Sequence, residues 1–353
     1  MPHRCPFRPV PATLPARLAS LALPGLLSVA PAAAQDPDVI GPETRYAAAA
    51  GVLTAFIERE MQDKGVPALS IALVDGNRIV WSRGFGVEKA GTTRPATANT
   101  VYRVGSVSKL FTDIGIMQLV ERGVIDLDAP VTRYLESFAP ANPFRTPITL
   151  RQLMSHHAGL VREPPRGHYF DDTAPTLAAT VASLGSTTLV HAPGTTAKYS
   201  NAAIAAVGYL LERRSGEPFA KHLQRTVLAP LAMPNSSFEP SPELRSRTTD
   251  ALMWAYHGRT FAAPTFALGM SPAGSMYGTM PDLGRFLMML FDGGAAPGGR
   301  VLQRATLEAM WKPQFAPAGA TRGSGIGFAV SALDGQRMIG HGGAIYGFAT
   351  QLS

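Results

Sequence analysis

Apolar residues recur at helical spacing between Tyr46 and Lys64, at Val52, Phe56, Ile57 and Met61, and Gly65 follows as a stop signal. That pattern predicts a first helix. The period then shortens. ALSIALV and RIVWSRGFG are β-rich runs on either side of Asp75-Gly76-Asn77, which predicts a hairpin. Beyond Ser106 the patterning turns helical. LFTDIGIMQLVERG ends at Gly123, TLRQLMSHH starts at Thr149 as a natural N-cap, and NAAIAAVGYLLERRSG ends at Gly216. EPFAKHLQRTVLAPL follows, and MPDLGRFLMMLFDGG begins after Thr279. Strand patterning returns late, where GIGFAVSAL and QRMIGHGG flank Asp334-Gly335 as a second hairpin of the same kind.

Helix, hairpin, many helices, hairpin is an order that fits an α/β (α+β) layer made from both ends of the chain. The layer would comprise about residues 45–105 and 300–353, with a helical region over about 106–299 inserted between. No internal repeat is visible, nor a linker long enough to part independent domains. The 353 residues suffice for one large domain or two ordinary ones. A composition of 46% hydrophobic and 16% charged residues is globular rather than disordered, and 30 prolines and 35 glycines supply turns.

Residues 1–34 differ in character. Arg4, Arg8 and Arg17 precede the short apolar run LASLALPGLLSVA, and PAAAQD follows. A basic start, an apolar core and an Ala-x-Ala ending predict a secretory signal peptide cut after about Ala34, leaving a mature domain over 35–353. The run is too short, and too broken by Pro24, to span a bilayer, and no other stretch reaches the roughly 20 apolar residues a spanning helix needs. The expected location is the periplasm or the exterior. Cutting there removes the only cysteine, Cys5, and with it any disulfide, thiol nucleophile or cysteine metal ligand. Taking those three arginines from the 32 basic residues, against 25 acidic ones, leaves a charge of +4. The charges are scattered, with no basic block interleaved with aromatics, which argues against nucleic-acid binding.

Candidate chemistry sits in VYRVGSVSKLFT. Ser106 and Lys109 stand one helical turn apart, and positions i and i+3 share a helix face. A serine at a helix N-terminus has unpaired backbone N–H groups and the positive dipole end beside it, which suit a developing oxyanion. A lysine one turn on can take the serine proton if burial or nearby cations push its pKa down from about 10.4. S-x-x-K alone arises by chance about once in a chain of this length, and the competing reading is a helix cap beside a solvated lysine. Two further clusters change the balance: PGTTAKYSNAAI, which places Tyr199 and Asn201 before a helix, and IGHGGAIYGF, which places His341, Gly342 and Gly343 on the late strand.

In that order, S-x-x-K, Y-x-N and a late K/H-x-G strand resemble the serine β-lactamase and penicillin-binding-protein superfamily. The similarity is greatest to the class C β-lactamase-related family, which includes esterases, D-alanyl-D-alanine carboxypeptidases and D-aminopeptidases. GVPALSIALVDGNRIVWSRGFG, LRQLMSHHAGL, YSNAAIAAVGYLLERRSG and SPAGSMYGTMPDLGRFL resemble it too, so the likeness runs from about Tyr46 to the end. It implies a β-lactamase/transpeptidase-like fold, an antiparallel sheet flanked by helices. It implies Ser106 as acylated nucleophile, Lys109 as its proton partner and Tyr199 as a second acid/base group. It implies Asn201 orienting Lys109 and touching substrate, and an oxyanion hole of the Ser106 and Ala344 N–H groups, with Gly343 beside it. No metal and no organic cofactor are implied. The partners implied are small esters, amides, β-lactams or peptides; the oligomeric state is left open.

Two departures qualify the likeness. Relatives that hydrolyse β-lactams usually carry Lys-Thr-Gly where this chain has His341-Gly342-Gly343. A histidine, largely neutral at pH 7, gives the site one fewer permanent cation, so esterase or peptidase activity is expected over efficient β-lactamase activity. Relatives also continue beyond that strand with further strands and a C-terminal helix, so a truncated gene or incomplete sequence is the expectation here. An exported acyl-enzyme serine hydrolase is the first reading. The alternative is a peptidoglycan- or ligand-binding relative, inactive through truncation. His156-His157 lack an H-E-x-x-H context and read as structural, GSGIGF and GHGG do not form a dinucleotide-binding loop, and no G-x-S-x-G elbow is present. Tyr169, Trp254, Tyr256 and Tyr277 read as ordinary packing. VREPPRGHYFDDTAP and the region from Asn235 to Thr265 are the loops expected to shape the pocket.

Overall fold

A single glycine stops the first helix where expected. The computed structural model describes residues 40–255 and 257–353. The signal-peptide reading of residues 1–34, Cys5 and Tyr256 lie outside them. Helix α1 (Ala47–Lys64) ends on Gly65 in the left-handed conformation, whose N–H reaches back to the Gln62 carbonyl. Its buried stripe is Ala50, Leu53, Ile57 and Met61, which packs on Trp81 and Phe85. Val52 and Phe56, part of the apolar recurrence, lie off that stripe and are 71% and 52% exposed. Strands β1 (Ala68–Asp75) and β2 (Arg78–Gly86) form the first hairpin about Gly76-Asn77.

Strand β3 (Tyr102–Arg103) then leads through a 3-10 turn, Gly105–Val107, into α2 (Ser108–Glu121). Every residue of α2 from Ser108 to Leu119 is buried. A helix buried on all sides belongs in the middle of a core, and α2 packs against the helix over Asn201–Ser215 and the short turn Ser271–Gly274. Helix α3 (Leu150–Met154) starts at Thr149 with a capping box: Thr149 accepts from the Gln152 N–H while Gln152 accepts from the Thr149 N–H. Helix α4 (Asn201–Ser215) ends at Gly216. Strand β4 (Tyr277–Gly278) pairs antiparallel with β3, and α5 (Met280–Phe291) packs on β1 and β2.

The second hairpin forms as expected between β6 (Ala329–Leu333) and β7 (Gln336–Ile345). Strand β5 (Gly323–Ser324) joins one side and β8 (Phe348–Leu352) the other, giving the order β8-β7-β6-β5. The fold is thus the mixed α/β arrangement of helices and antiparallel strands that was expected. One detail differs: the strands from the two ends of the chain form separate hydrogen-bonded sets rather than one continuous ladder. Among the described residues no helix is long and apolar enough to cross a membrane.

Candidate active site

The turn that carries Ser106 is pinned from three sides. The Val104 N–H donates to the Met276 carbonyl at 2.9 Å. Ser108 donates to the Gly105 carbonyl at 2.6 Å and accepts from the Met276 N–H at 3.0 Å. Ser108 therefore does the local structural work, and Ser106 makes no capping bond. The competing reading of Ser106 as a helix cap fails on that geometry.

Lys109 is fully buried. Its Nζ donates to the Ala273 carbonyl at 2.6 Å and lies 3.0 Å from Ser106 Oγ, as i, i+3 spacing on one face allows. Burial pushes the ammonium down to about 7, against the opposing pull of Glu163 and Asp113 and with a small push from Arg162. The amine is thus poised to change protonation near neutral pH.

One turn further along α2, Asp113 is also fully buried, and neither carboxylate oxygen has a hydrogen-bond partner. Burial raises its pKa well above the usual range, with Lys109 pulling the other way. A carboxyl whose folded pKa is raised costs stability only above its unfolded pKa of about 4, and the cost grows as pH climbs toward the folded value. Asp113→Asn is expected to match the wild type in melting temperature near pH 4 and to exceed it at pH 8, by an amount worth on the order of 1–3 kcal/mol. A lower melting temperature at pH 8 would refute that assignment.

Tyr199 precedes the N-cap of α4. Ser200 caps the helix, accepting from the Ala203 N–H at 2.9 Å and donating to the Val161 carbonyl at 2.7 Å. The Tyr199 ring lies 4.4 Å from that of His156 and 6.1 Å from that of His341, and Lys109 Nζ is 4.9 Å from its centroid. Burial raises the phenol's pKa above its usual value, opposed chiefly by a hydrogen bond with the Ser106 hydroxyl. At neutral pH the phenol keeps its proton.

The backbone of β7 closes the site. Gly105 has φ +53°, and a Cβ there would stand 2.7 Å from the Ala344 nitrogen. A Cβ on Gly343 would stand 2.1 Å from the Val104 carbonyl oxygen and 3.1 Å from the Ser106 nitrogen. Only glycine permits this approach, which lays the backbone of the Ser106 turn directly against β7 at Gly343 and Ala344. His341 Nδ1 donates to the Gly342 carbonyl at 2.5 Å, and burial lowers the imidazole to about 4, leaving it neutral at pH 7.

Asn201 differs from the expectation. Its side chain makes no hydrogen bond to Lys109; Nδ2 donates to both oxygens of Glu163, at 2.8 and 3.0 Å, and Oδ1 is left without a partner. The backbone N–H groups of Asn201 and Ala202 donate to the Arg162 carbonyl, at 2.8 and 3.2 Å. Free N–H groups at the start of α4 are what draw that carbonyl in.

These elements line an open cleft of about 480 Å³ bordered by Ser106, Tyr199, His341, Gly342, Gly343 and Ala344, together with Arg162, Tyr169, Thr350 and Gln351. Four side chains here are not among the site residues expected from the sequence. His156 reads as structural in the sequence, and here its ring stacks on Tyr199 and its Nδ1 accepts from the Ser200 N–H at 3.3 Å. Burial lowers it to about 3. Tyr169 was set aside as packing but lines the cavity, and Arg162 and Glu163 lie in a loop expected only in general terms to shape it. Trp254 is exposed and Tyr277 packs in the core. Among the described residues no group of three or more His, Cys, Asp or Glu could hold a metal ion.

Comparison with known proteins gives a consistent result. A family model described as Beta-lactamase matches residues 53–352. The chain is 30% identical to Beta-lactamase-like protein 2 of Dictyostelium discoideum, over 66% of this chain and 44% of that one. It is 28% identical to the D-alanyl-D-alanine-carboxypeptidase/endopeptidase AmpH of Escherichia coli, over 70% of this chain and 63% of that one. The chain thus spans about half the length of these relatives. The octameric penicillin-binding protein homologue from Pyrococcus abyssi superposes with a TM-score of 0.76 at 25% identity, covering 86% of this chain and 70% of that one.

Proposed function

The chain belongs to the beta-lactamase family, and from that premise we propose that it is an exported serine hydrolase that forms an acyl-enzyme on Ser106 and cleaves esters, amides or D-amino-acid peptides. The observation that carries this reading is the Lys109 amine, 3.0 Å from the Ser106 hydroxyl and so fully buried that its pKa falls to about 7. A lysine so placed is costly to bury, which supports a role as the base. The name of AmpH, a D-alanyl-D-alanine-carboxypeptidase/endopeptidase, supports the substrate class.

In the proposed cycle neutral Lys109 accepts the Ser106 proton as Oγ attacks the acyl carbon, and the Ser106 and Ala344 N–H groups receive the developing oxyanion. Tyr199, protonated at rest, gives its proton to the departing oxygen or nitrogen as the scissile bond breaks. The proton held on Lys109 then restores the phenol. Water attacks the acyl-enzyme with its proton passing back through the same pair, releasing the acid and regenerating the serine hydroxyl. The lowered pKa of Lys109 leaves the amine free to act as the base, and the raised one of Tyr199 keeps the phenol protonated at rest.

A fluorophosphonate probe followed by peptide mapping tests the reading. Modification of Ser106, with competition by a short-chain aryl ester, is the expected result; a folded sample that takes no label would point instead to a binder without turnover. The pH profile gives a second check. Acylation is expected to rise with pH through a single transition near 7, set by Lys109, and to stay level above it. A transition near 4 or none at all would contradict the assignment. His156 and His341 cannot produce the one near 7, since burial holds them at about 3 and 4.

A further inference from the structure

The far end of α2 borders a second cleft, of about 390 Å³, walled by Arg122, Arg214, His222, Arg225 and Thr226. The 14 residues of α2 rise about 20 Å, which separates this cleft from Ser106. Arg225 donates to Glu217, and Arg214 donates to the Arg133 carbonyl at 3.1 Å. Arg122, exposed at the C-terminus of α2, has no ion-pair partner among the described residues. Arginines at the ends of α2 and α4 offset the negative ends of those helix dipoles, which accounts for Arg122 and Arg214 without any ligand. It does not account for His222. That imidazole is 3% exposed, and its Nδ1 lies 2.9 Å from Glu217 Oε1. Hydrogen bonds from Arg225 and His222 hold Glu217 down to about 2, so the carboxylate is ionised and can only accept. Nδ1 therefore carries the ring hydrogen. Burial lowers the imidazole's pKa against the pull of Glu217, which leaves Nε2 bare at neutral pH. Nε2 is thus a buried acceptor, and it has no hydrogen-bond partner. A neighbouring cleft of about 440 Å³ shares the Arg122 and Thr226 walls and holds a second such atom. Gln118 Nε2 donates to the Thr226 and Val301 carbonyls at 2.9 and 3.2 Å, while the buried Oε1 has no partner.

We propose that the two joined clefts form a binding site for a phosphorylated polyol, such as a glycerol or sugar phosphate, apart from the hydrolase centre. The ligand's chemistry follows from what the walls lack. Arg122, common to both clefts, offers an unpaired cation where a phosphate would sit. His222 Nε2 on one side and Gln118 Oε1 on the other each call for a hydroxyl that donates. A bare anion such as sulfate satisfies the first demand and neither of the others. Glu121, which also lines the second cleft, is engaged by the Gln303 N–H at 2.7 Å. The site is independent of the acyl-enzyme reading and stands or falls without it.

Calorimetric titration with glycerol 3-phosphate and with propyl phosphate tests the proposal, because the two share charge and chain length and differ in their hydroxyls. The wild type is expected to bind glycerol 3-phosphate about 10- to 100-fold more tightly, the difference made by hydroxyls that meet otherwise unpaired acceptors. Arg122→Gln should weaken both ligands about tenfold or more and leave their ratio in place. His222→Phe should bring the ratio toward one. Should that variant fail to fold, the wild-type ratio and the exposed Arg122→Gln still decide the matter. Arg162→Gln, in the catalytic cleft, should bind both ligands as the wild type does. A phosphodiester of two glycerols separates the sources: affinity equal to the monoester supports a lipid headgroup or polymer, and weaker affinity supports a soluble monoester. No binding of glycerol 3-phosphate up to about 10 mM overturns the site. So does a wild-type ratio at or below one, an unchanged affinity in Arg122→Gln, or a loss of binding in Arg162→Gln.

Discussion

Ser106→Ala is expected to abolish turnover of an aryl ester, lowering kcat by about 10⁴- to 10⁶-fold, because the hydroxyl that takes the acyl group is gone. Lys109 Nζ would keep its contact with the Ala273 carbonyl, and Ser108 would keep the turn pinned, so the fold should be unaffected. The measurement is a burst-phase assay with a chromogenic ester, alongside intact-protein mass after exposure to a fluorophosphonate. Wild-type protein should gain one adduct and the variant none. Turnover within tenfold of the wild type would remove Ser106 from the chemistry, whatever the surrounding geometry.

Lys109→Met is expected to act on activity and stability in opposite directions. Removing the base should lower acylation by about 10²- to 10⁴-fold and erase the pH transition near 7. Stability should rise. Burial lowers the folded pKa of Lys109 from about 10.4 to about 7, so at and below pH 7 the unfolded chain binds a proton that the folded chain holds less tightly. That penalty is fully present below the folded pKa and fades as pH climbs toward the unfolded one. Methionine has nearly the same shape and no charge to desolvate, so the variant should be more stable by on the order of a few kcal/mol at pH 6, with the gap closing toward pH 10. Chemical denaturation at both pH values measures it. A variant that is both slower and less stable at pH 6 would mean that Lys109 is held by favourable pairing rather than by strain against its burial.

Local patterning made a good part of the architecture legible. Asp75-Gly76 and Asp334-Gly335 marked both hairpins because their turns need residues at ease with positive φ. Thr149 and Gly216 marked helix ends because capping is a short-range affair. The β3–β4 pair was invisible: two residues on each side carry no period, and the partners lie far apart in the chain. Strand β8 carries no signal of its own for a related reason, since the tight turn at Tyr346-Gly347 immediately precedes it and breaks no apolar run. At the site, Ser106, Lys109, Tyr199 and the His341-Gly342-Gly343 strand announced themselves as motif residues. Asn201 did so as well, but its partner is Glu163 rather than Lys109. The stack of His156 on Tyr199 and the clamp on Arg162 depend on two loops meeting, and loops leave no periodic trace.

Helix α2 is enclosed on every side, and its residues from Ser108 to Leu119 are all buried. The reactive machinery is therefore built into the part of the molecule least able to change, where a swapped side chain disturbs neighbours in all directions. The cavity walls are different in kind: the loop around Arg162 and Tyr169 and the strand bearing Thr350 and Gln351 border open space. Substitutions can accumulate there without disturbing the centre. A lineage built on this plan can exchange one diet for another while the attacking group and its base stay where they are.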